Sequence, residues 1–448
     1  MLLLLLACTA APSSLTDDSA SDGGAPDGGA TGLDDTGTDG EGTGAGVNGR
    51  LETVSGQSVL YLWGSRYELG YAEGALTCDR VADLFKYYLL EELIADYTSY
   101  EYQVVRGVVI GSTSFQPGDM EEMQGYYQGA LDHCSEEQLT VHSDLLEADS
   151  GGSRMLELED LYFANALADF GCSSLSVWGE ASATGDTVHG RNFDWASDDD
   201  GRFLSDHLLK VYDSTDEGAR FLSVMVPGML GCVSCVTEEG VALTMHNVGG
   251  LPTTTPVGIS PRMFAAREAL LATVGAPDVA AAAEAVLEDR PQNVGNNLHL
   301  SWPLSRSVDG TGAAVLEYDG ASDHTDGRVT VRRPGDDPEQ TRADTVVATN
   351  HYIARSPASG SGDSWDRAAL LRQAADLGAP EGGLDRQGQR AALETVAGGY
   401  GELTVHSIVV DSAARRLDLY VAPDPSTPAV LGEVRALDLD ALFGALDP

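Results

Sequence analysis

The chain has 448 residues, 42% apolar and 21% charged, enough to bury one large core or two ordinary ones. Its formal net charge is −44, and its only lysines are Lys86 and Lys210. So acidic a surface repels nucleic acid and anionic headgroups, which argues against a nucleic-acid partner and leaves the fold open.

From the N-terminus, Leu2 to Leu6 form a short apolar run, and Leu5-Leu6-Ala7-Cys8 has the form of a bacterial lipobox. Cys8 would then be diacylated and begin the mature protein. Residues 9 to 49 are almost wholly Ala, Ser, Thr, Asp and Gly, with eight acidic residues and no base. Such a segment cannot bury a core; residues 9–50 are expected to be a disordered, self-repelling tether ahead of a domain over 51–448. Anchor and tether together predict an exported protein of the bacterial envelope, periplasmic or at the cell surface, held to the membrane by lipid on Cys8. No later stretch is long and apolar enough to span a bilayer.

In the body, Ser58 to Trp63 reads as a strand. Tyr67 to Ala95 carries helical spacing of apolar residues, and 120–131, 136–148 and 156–168 read as further helices. Strands then dominate, over 173–178, 187–192, 208–212, 220–226, 232–236 and 241–246. Two helices come next, 262–274 and 277–288, the second with a proline suited to a first helical turn. Strands 298–302, 313–318, 327–332 and 344–349, helices 365–375 and 387–397, and a closing hairpin over 405–410 and 416–421 complete the chain. Blocks of helix and blocks of antiparallel strand predict a layered α+β fold rather than alternating βαβ units.

Six cysteines are present. In an oxidising compartment Cys78 and Cys134 are a plausible disulfide. Cys232 and Cys235 lie in an apolar, strand-like run without a second pair at zinc spacing, so they read as buried thiols or a local disulfide, not a metal site. Neither a metal nor another cofactor is called for.

Cys172 is different. Gly171-Cys172-Ser173-Ser174 opens a strand that turns at Ala183-Thr184-Gly185-Asp186 and returns as 187–194. Folding about position 184 sets Cys172 against roughly position 196. Arg191 and Asp194 thereby come back to the Cys172 backbone. A thiol, a guanidinium and a carboxylate then meet at one end of a hairpin, which suits a cysteine nucleophile whose own freed amino group is the base.

Several stretches together resemble the acyl-coenzyme A:isopenicillin N acyltransferase-like family of N-terminal nucleophile (Ntn) hydrolases. More distantly they resemble acid ceramidase, N-acylethanolamine acid amidase and the choloylglycine hydrolases. These stretches are 64–74 (GSRYELGYAEG), Glu159-Asp160-Leu161 with Asn165, Gly171-Cys172, Gly190-Arg191-Asn192-Phe193-Asp194-Trp195, 240–247, Thr349-Asn350-His351 and Ser364-Trp365-Asp366-Arg367. The resemblance covers about residues 58 to 425. It implies a four-layer αββα sandwich made as a precursor, cut by itself at Gly171–Cys172 into light and heavy fragments that stay associated. A free α-amine has an ordinary pKa of about 8, so thiol and base would sit on one residue.

By the same resemblance Cys172 is the nucleophile, Asp194 holds its α-ammonium, Arg191 stabilises the thiolate and Asn247 gives an N–H to the oxyanion. Asn350 steadies the oxyanion or the amine, and Arg367 is a structural or catalytic arginine. A free-amine mechanism needs no imidazole, so His246, His351 and His406 read as packing or supporting residues. The expected substrate is a small N-acyl amide. Water would release the acyl group from a thioester, making an amidohydrolase; an amine acceptor would make an acyltransferase. Two other classes stay open: a papain-like protease pairing Cys172 with a distant histidine, and a non-catalytic surface lipoprotein.

Overall fold

The computed structural model describes residues 46–146, 151–166, 171–248, 257–292, 294–320, 327–356, 362–399 and 402–447. The lipobox, Cys8 and most of the tether lie outside them. Two strands, β1 (Gly49–Val54) and β2 (Gln57–Gly64), open the fold, so Gly49 and Arg50 belong to a strand and not to the linker. Next come α1 (Arg66–Asp83), which continues over Leu84–Leu93 with wider, i→i+5 turns, then α2 (Ser99–Ser112) and α3 (Pro117–His133). After them stand β3 (Thr140–His142), β4 (Ser153–Met155) and α4 (Leu158–Ala166).

The helix start signals are ordinary ones. Ser65 with Glu68 and Thr98 with Glu101 form capping boxes on α1 and α2. The helix expected over 136–148 is not formed. Thr140-Val141 pairs instead with Arg154-Met155, burying Val141 and exposing His142, as β-branched residues in a short ladder do. α1 and α3 pack very closely, because Gly70, Gly74, Gly125 and Gly129 face the opposing backbone. A Cβ on Gly70 would stand 1.9 Å from the carbonyl oxygen of Glu122.

The remaining strands are β5 (Gly171–Val177), β6 (Val188–Trp195), β7 (Leu208–Ser214), β8 (Ala219–Met225), β9 (Ser234–Thr237) and β10 (Ala242–Val248), with one short helical turn, α5 (Arg202–Ser205), between β6 and β7. They continue with β11 (Gly295–Ser301), β12 (Ala313–Tyr318), β13 (Val329–Arg332), β14 (Thr345–Ala348), β15 (Leu403–Asp411), β16 (Arg416–Val421) and β17 (Arg435–Asp438). Among the described residues one sheet runs β1-β2-β7-β8-β9-β10-β11-β12-β13 and the other β14-β5-β6-β15-β16-β17. All neighbours are antiparallel except β2 and β7. The inner faces meet in shared apolar clusters, Val59, Val211 and Val224 of the first sheet packing with Ile408, Leu417 and Leu419 of the second.

Helices cover both outer faces. α1 and the pair α6 (Arg262–Leu271) and α7 (Val279–Leu287) lie on the nine-stranded sheet. On the six-stranded sheet lie α8 (Gly362–Gly378) and α9 (Arg386–Glu394). The fold is therefore a four-layer αββα sandwich, the α+β arrangement expected from the blocks in the sequence.

The segments on either side of Gly171 are woven together. Strand β2 lies in register with β7, from Val59 opposite Leu209 to Gly64 opposite Ser214. Buried charges join the same two segments. Lys210 Nζ donates to Glu73 Oε1 at 2.7 Å and to the Met229 carbonyl at 2.8 Å, with neither side chain exposed. Arg66 and Arg267 share Glu122 and Glu217. The structure also joins Cys78 to Cys134 and Cys232 to Cys235 by disulfides.

An unpaired charge is costly in such a site. Lys210→Met should lose roughly 3–5 kcal/mol in urea unfolding, while Glu73→Met combined with Lys210→Met should recover most of it. A single variant as stable as the parent would contradict this account of the pair.

Candidate active site

The register of β5 on β6 sets the site. Cys172 stands opposite Phe193 and Gly171 opposite Asp194. The offset from the expected position 196 arises because the connection, residues 178–187 with the 3-10 segment Gly179–Ala181, is centred between 182 and 183 and not on 184. Along each strand alternate side chains face opposite ways. Cys172, Arg191 and Phe193 point between the sheets. Ser173 and Asp194 point toward α8.

Each polar group of Cys172 has its own partner. Its N–H donates to Asn350 Oδ1 at 3.0 Å. Its carbonyl oxygen accepts from Arg367 Nη1 at 2.8 Å. Arg191 Nη2 lies 2.9 Å from its Sγ and also donates to the Met245 carbonyl at 2.9 Å. Arg367 further donates to Asn350 Oδ1 at 3.0 Å, Asp363 at 2.9 Å and Ser173 Oγ at 2.5 Å. Its Nη1 is 4.0 Å from Asp194 Oδ2. Asn350 comes just after β14, which is paired to β5 from Ala348 opposite Ser174, so the sheet itself carries it to Cys172.

Asn247 lies inside β10, not after its end, and its carbonyl accepts from Asn350 Nδ2 at 2.7 Å. Its side-chain oxygen is held by Arg262 Nη1 at 2.8 Å, which leaves Nδ2 on the other corner of the amide. The six residues singled out from the sequence, Cys172, Arg191, Asp194, Asn247, Asn350 and Arg367, thus form one connected cluster. His351 lies on the far side of Asn350, bonded to Thr349 and Ser364. His246 bonds the Asn297 carbonyl. Cys172 is the one free cysteine among the described residues.

Further residues complete the cluster, Thr404, Arg262 and Ser234 not expected from sequence and His406 read there as packing or supporting. Thr404 Oγ1 donates to Asp194 Oδ1 at 2.5 Å. Arg262 bridges Asn247 and Asn296. Ser234 and His406 hold the other end of Arg191. Thr404, Ser234 and His406 reach the site by strand pairing or sheet stacking across long sequence separations, and Arg262 from the start of α6.

Burial controls the protonation states. It pushes the Cys172 thiol up to about 11, against the nearby Arg191 guanidinium, which favours the thiolate. It pushes Asp194 up to about 6, against Arg367, Thr404 and Arg191. In the continuous chain the thiol is therefore neutral at pH 7.

No family model matches the chain. A 211-residue segment is 25% identical to an uncharacterised protein of Archaeoglobus fulgidus, covering 44% of this chain and 34% of that one; the match spans about a third of that protein. Three solved structures are similar in part. The Caenorhabditis elegans N-acylethanolamine-hydrolysing acid amidase ortholog is 14% identical, with 58% of this chain and 98% of that one covered and a TM-score of 0.38. A variant of conjugated bile acid hydrolase from Clostridium perfringens is 10% identical over 61% and 94%, with a TM-score of 0.37. Penicillin V acylase from Agrobacterium tumefaciens is 16% identical over 57% and 84%, with a TM-score of 0.28.

Asp194 supplies a test of the electrostatics. Its folded value, about 6, lies above the ordinary 3.8, so the folded chain binds this proton more tightly than the unfolded chain. Stability from this group is whole at low pH and is lost as pH rises through about 6. Asp194→Asn removes that loss. In a Cys172→Ala background, the Asn variant should gain about 1–2 kcal/mol on its parent between roughly pH 5 and pH 8, read by urea unfolding. A gain independent of pH would show that Asp194 is already ionised at the lower value.

Proposed function

We propose that the chain is an Ntn amidohydrolase that cuts itself at Gly171–Cys172 and then hydrolyses a small N-acyl amide. The observation that carries this reading is the fixation of a single residue at every polar atom. Cys172 N–H, C=O and Sγ are bound by Asn350, Arg367 and Arg191 respectively, with Asp194 on the neighbouring strand.

In self-scission Sγ attacks the Gly171 carbonyl carbon. A C–S bond forms, the C–N bond breaks, and the nitrogen of Cys172 leaves carrying the thiol proton. Water then hydrolyses the thioester, releasing the Gly171 carboxylate and restoring the thiol. The freed amine sits where its N–H now donates to Asn350, with Asp194 and Arg367 beside it. In turnover this amine takes the Sγ proton as the thiolate attacks the substrate carbonyl. Asn247 Nδ2 is the donor placed for the oxyanion. The ammonium returns its proton to the leaving amine, and water releases the acyl group by the reverse sequence.

Beyond Arg191, Cys172 belongs to a buried apolar cluster that holds Phe193, Trp195, Tyr88 and Phe203. Phe193 stacks near Trp195, and Tyr88 lies against Trp195 and Phe203. The same Tyr88 lines a narrow apolar crevice with Leu84, Leu93, Val226 and Met229. This wall suits an apolar acyl group. No histidine is bonded to Sγ among the described residues, which weighs against a papain-like pair. Two disulfides agree with the proposed exported protein anchored by lipid at Cys8.

N-terminal sequencing of purified material should read Cys-Ser-Ser-Leu for the heavy fragment, and intact mass should show two chains that co-elute. Cys172→Ala should remain one chain and lose cleavage of N-acyl amides by at least about 10³-fold. An active, uncleaved Cys172→Ala chain would end the proposal.

A further inference from the structure

Arg191 is fully buried, yet among the described residues no carboxylate touches its guanidinium. Nη2 faces Sγ and the Met245 carbonyl. Nη1 donates to Ser234 Oγ and to His406 Nε2, the latter at 3.2 Å. A buried arginine is more often held by an acid, and the neutral partners here leave its charge facing the thiol.

The line of bonds behind it has a single direction. An arginine can only donate, so His406 Nε2 accepts. At the far end His207 Nδ1 lies 2.8 Å from the Phe203 carbonyl, which can only accept, so that nitrogen carries the proton. His207 Nε2 is then bare and accepts from His406 Nδ1 at 3.1 Å. Ser234 Oγ–H completes the chain, donating to His406 Nε2 at 2.8 Å. Both ends require the same tautomers, and both rings are neutral.

Sequence placement makes the arrangement specific. β15 bulges between Thr404 and His406, so that Thr404 pairs with Asp194 while His406 pairs with Phe193. In a regular strand residues two apart share a face. The bulge turns Thr404 toward α8 and His406 inward, where its ring stacks on Phe193 at 4.7 Å. Ser234 reaches across from the opposite sheet, inside the short loop closed by Cys232–Cys235.

We infer that His406, backed by His207 and joined by Ser234, is a positioning residue that holds Arg191 against Cys172 Sγ without neutralising it, and so sets the acidity of the nucleophile. This rests on the reading of Cys172 under Proposed function. The charged and titratable groups around the thiol are Arg191 and Asp194 on β6, Arg367 on α8, His246 on β10 and His406 on β15.

The test is the pH profile of Cys172 alkylation by iodoacetamide in the mature protein, tracked by mass on the heavy fragment, beside kcat/KM for an N-acyl p-nitroanilide. His406→Phe keeps a ring against Phe193 but offers no acceptor. It should move the acid limb of both profiles up by about one pH unit, a tenfold loss below the limb, with KM little changed. His406→Gln, whose Oε1 replaces Nε2, should bring the limb back. A folded His406→Phe with the parental limb would overturn the inference, since a merely structural role lowers stability without moving that profile. Should His406→Phe not accumulate, Ser234→Ala carries the same two outcomes. If the unaltered protein shows no alkylation at Cys172 in any part of the range, the reading of the nucleophile falls, and this inference with it.

Discussion

Two guanidinium groups approach one strand residue from opposite faces, and most of the molecule is arranged around making that possible. Arg191 meets Cys172 between the sheets; Arg367 meets it from the helix layer. Desolvating an arginine costs several kcal/mol unless its donors are satisfied. For Arg191 the acceptors come from three strands, β5, β9 and β15, together with the backbone of β10. For Arg367 they come from the β5 backbone, Asn350 and Asp363. A single hairpin could not supply these groups. The two stacked sheets and the outer helix are what bring them together.

Buried cations recur elsewhere in the fold. Arg66, Arg191, Arg267, Arg332, Arg355 and Arg367 are all buried, and so is Lys210, one of the only two lysines. Several of them tie segments on either side of Gly171, as Arg66 and Arg267 do through Glu122 and Glu217. Acids such as Glu73, Glu122 and Glu317 are buried with them, so the surface keeps the acidic excess that the composition sets.

Much of this is legible in the sequence because it is local. The strands around Cys172 announce themselves by composition, and Arg191 and Asp194 come from one hairpin, although its register differs by three residues because the connection is centred ahead of its Gly-Asp signal. Asn350 and Arg367 emerge through motif order rather than geometry. Thr404, Ser234 and Arg262 are not assigned to the site by any sequence signal, and His406 reads there only as a packing or supporting residue. Their places arise from β15 lying beside β6, from a bulge in β15, from β9 stacking over β6 and from the start of α6, none of which leaves a short-range trace. The strand over Thr140–His142 reads as helix in the sequence because its apolar residues fit either period over so short a span.

On the proposed reading, the uncut chain is inert toward its amide substrate for a reason visible at Sγ. A thiol with its acidity suppressed to about 11 needs a proton acceptor, and the groups that touch Cys172 do not offer one. Arg191 only donates. Asn350 Oδ1 already accepts from the backbone N–H, and His406 is screened by Arg191 itself. In the proposed reaction the missing base is the nitrogen that scission releases, already placed against Asn350 and within the field of Asp194. On that proposal, folding surrounds Cys172 with donors before it has a base, and breaking one peptide bond supplies the base, so latency and activity differ by the protonation chemistry of a single nitrogen.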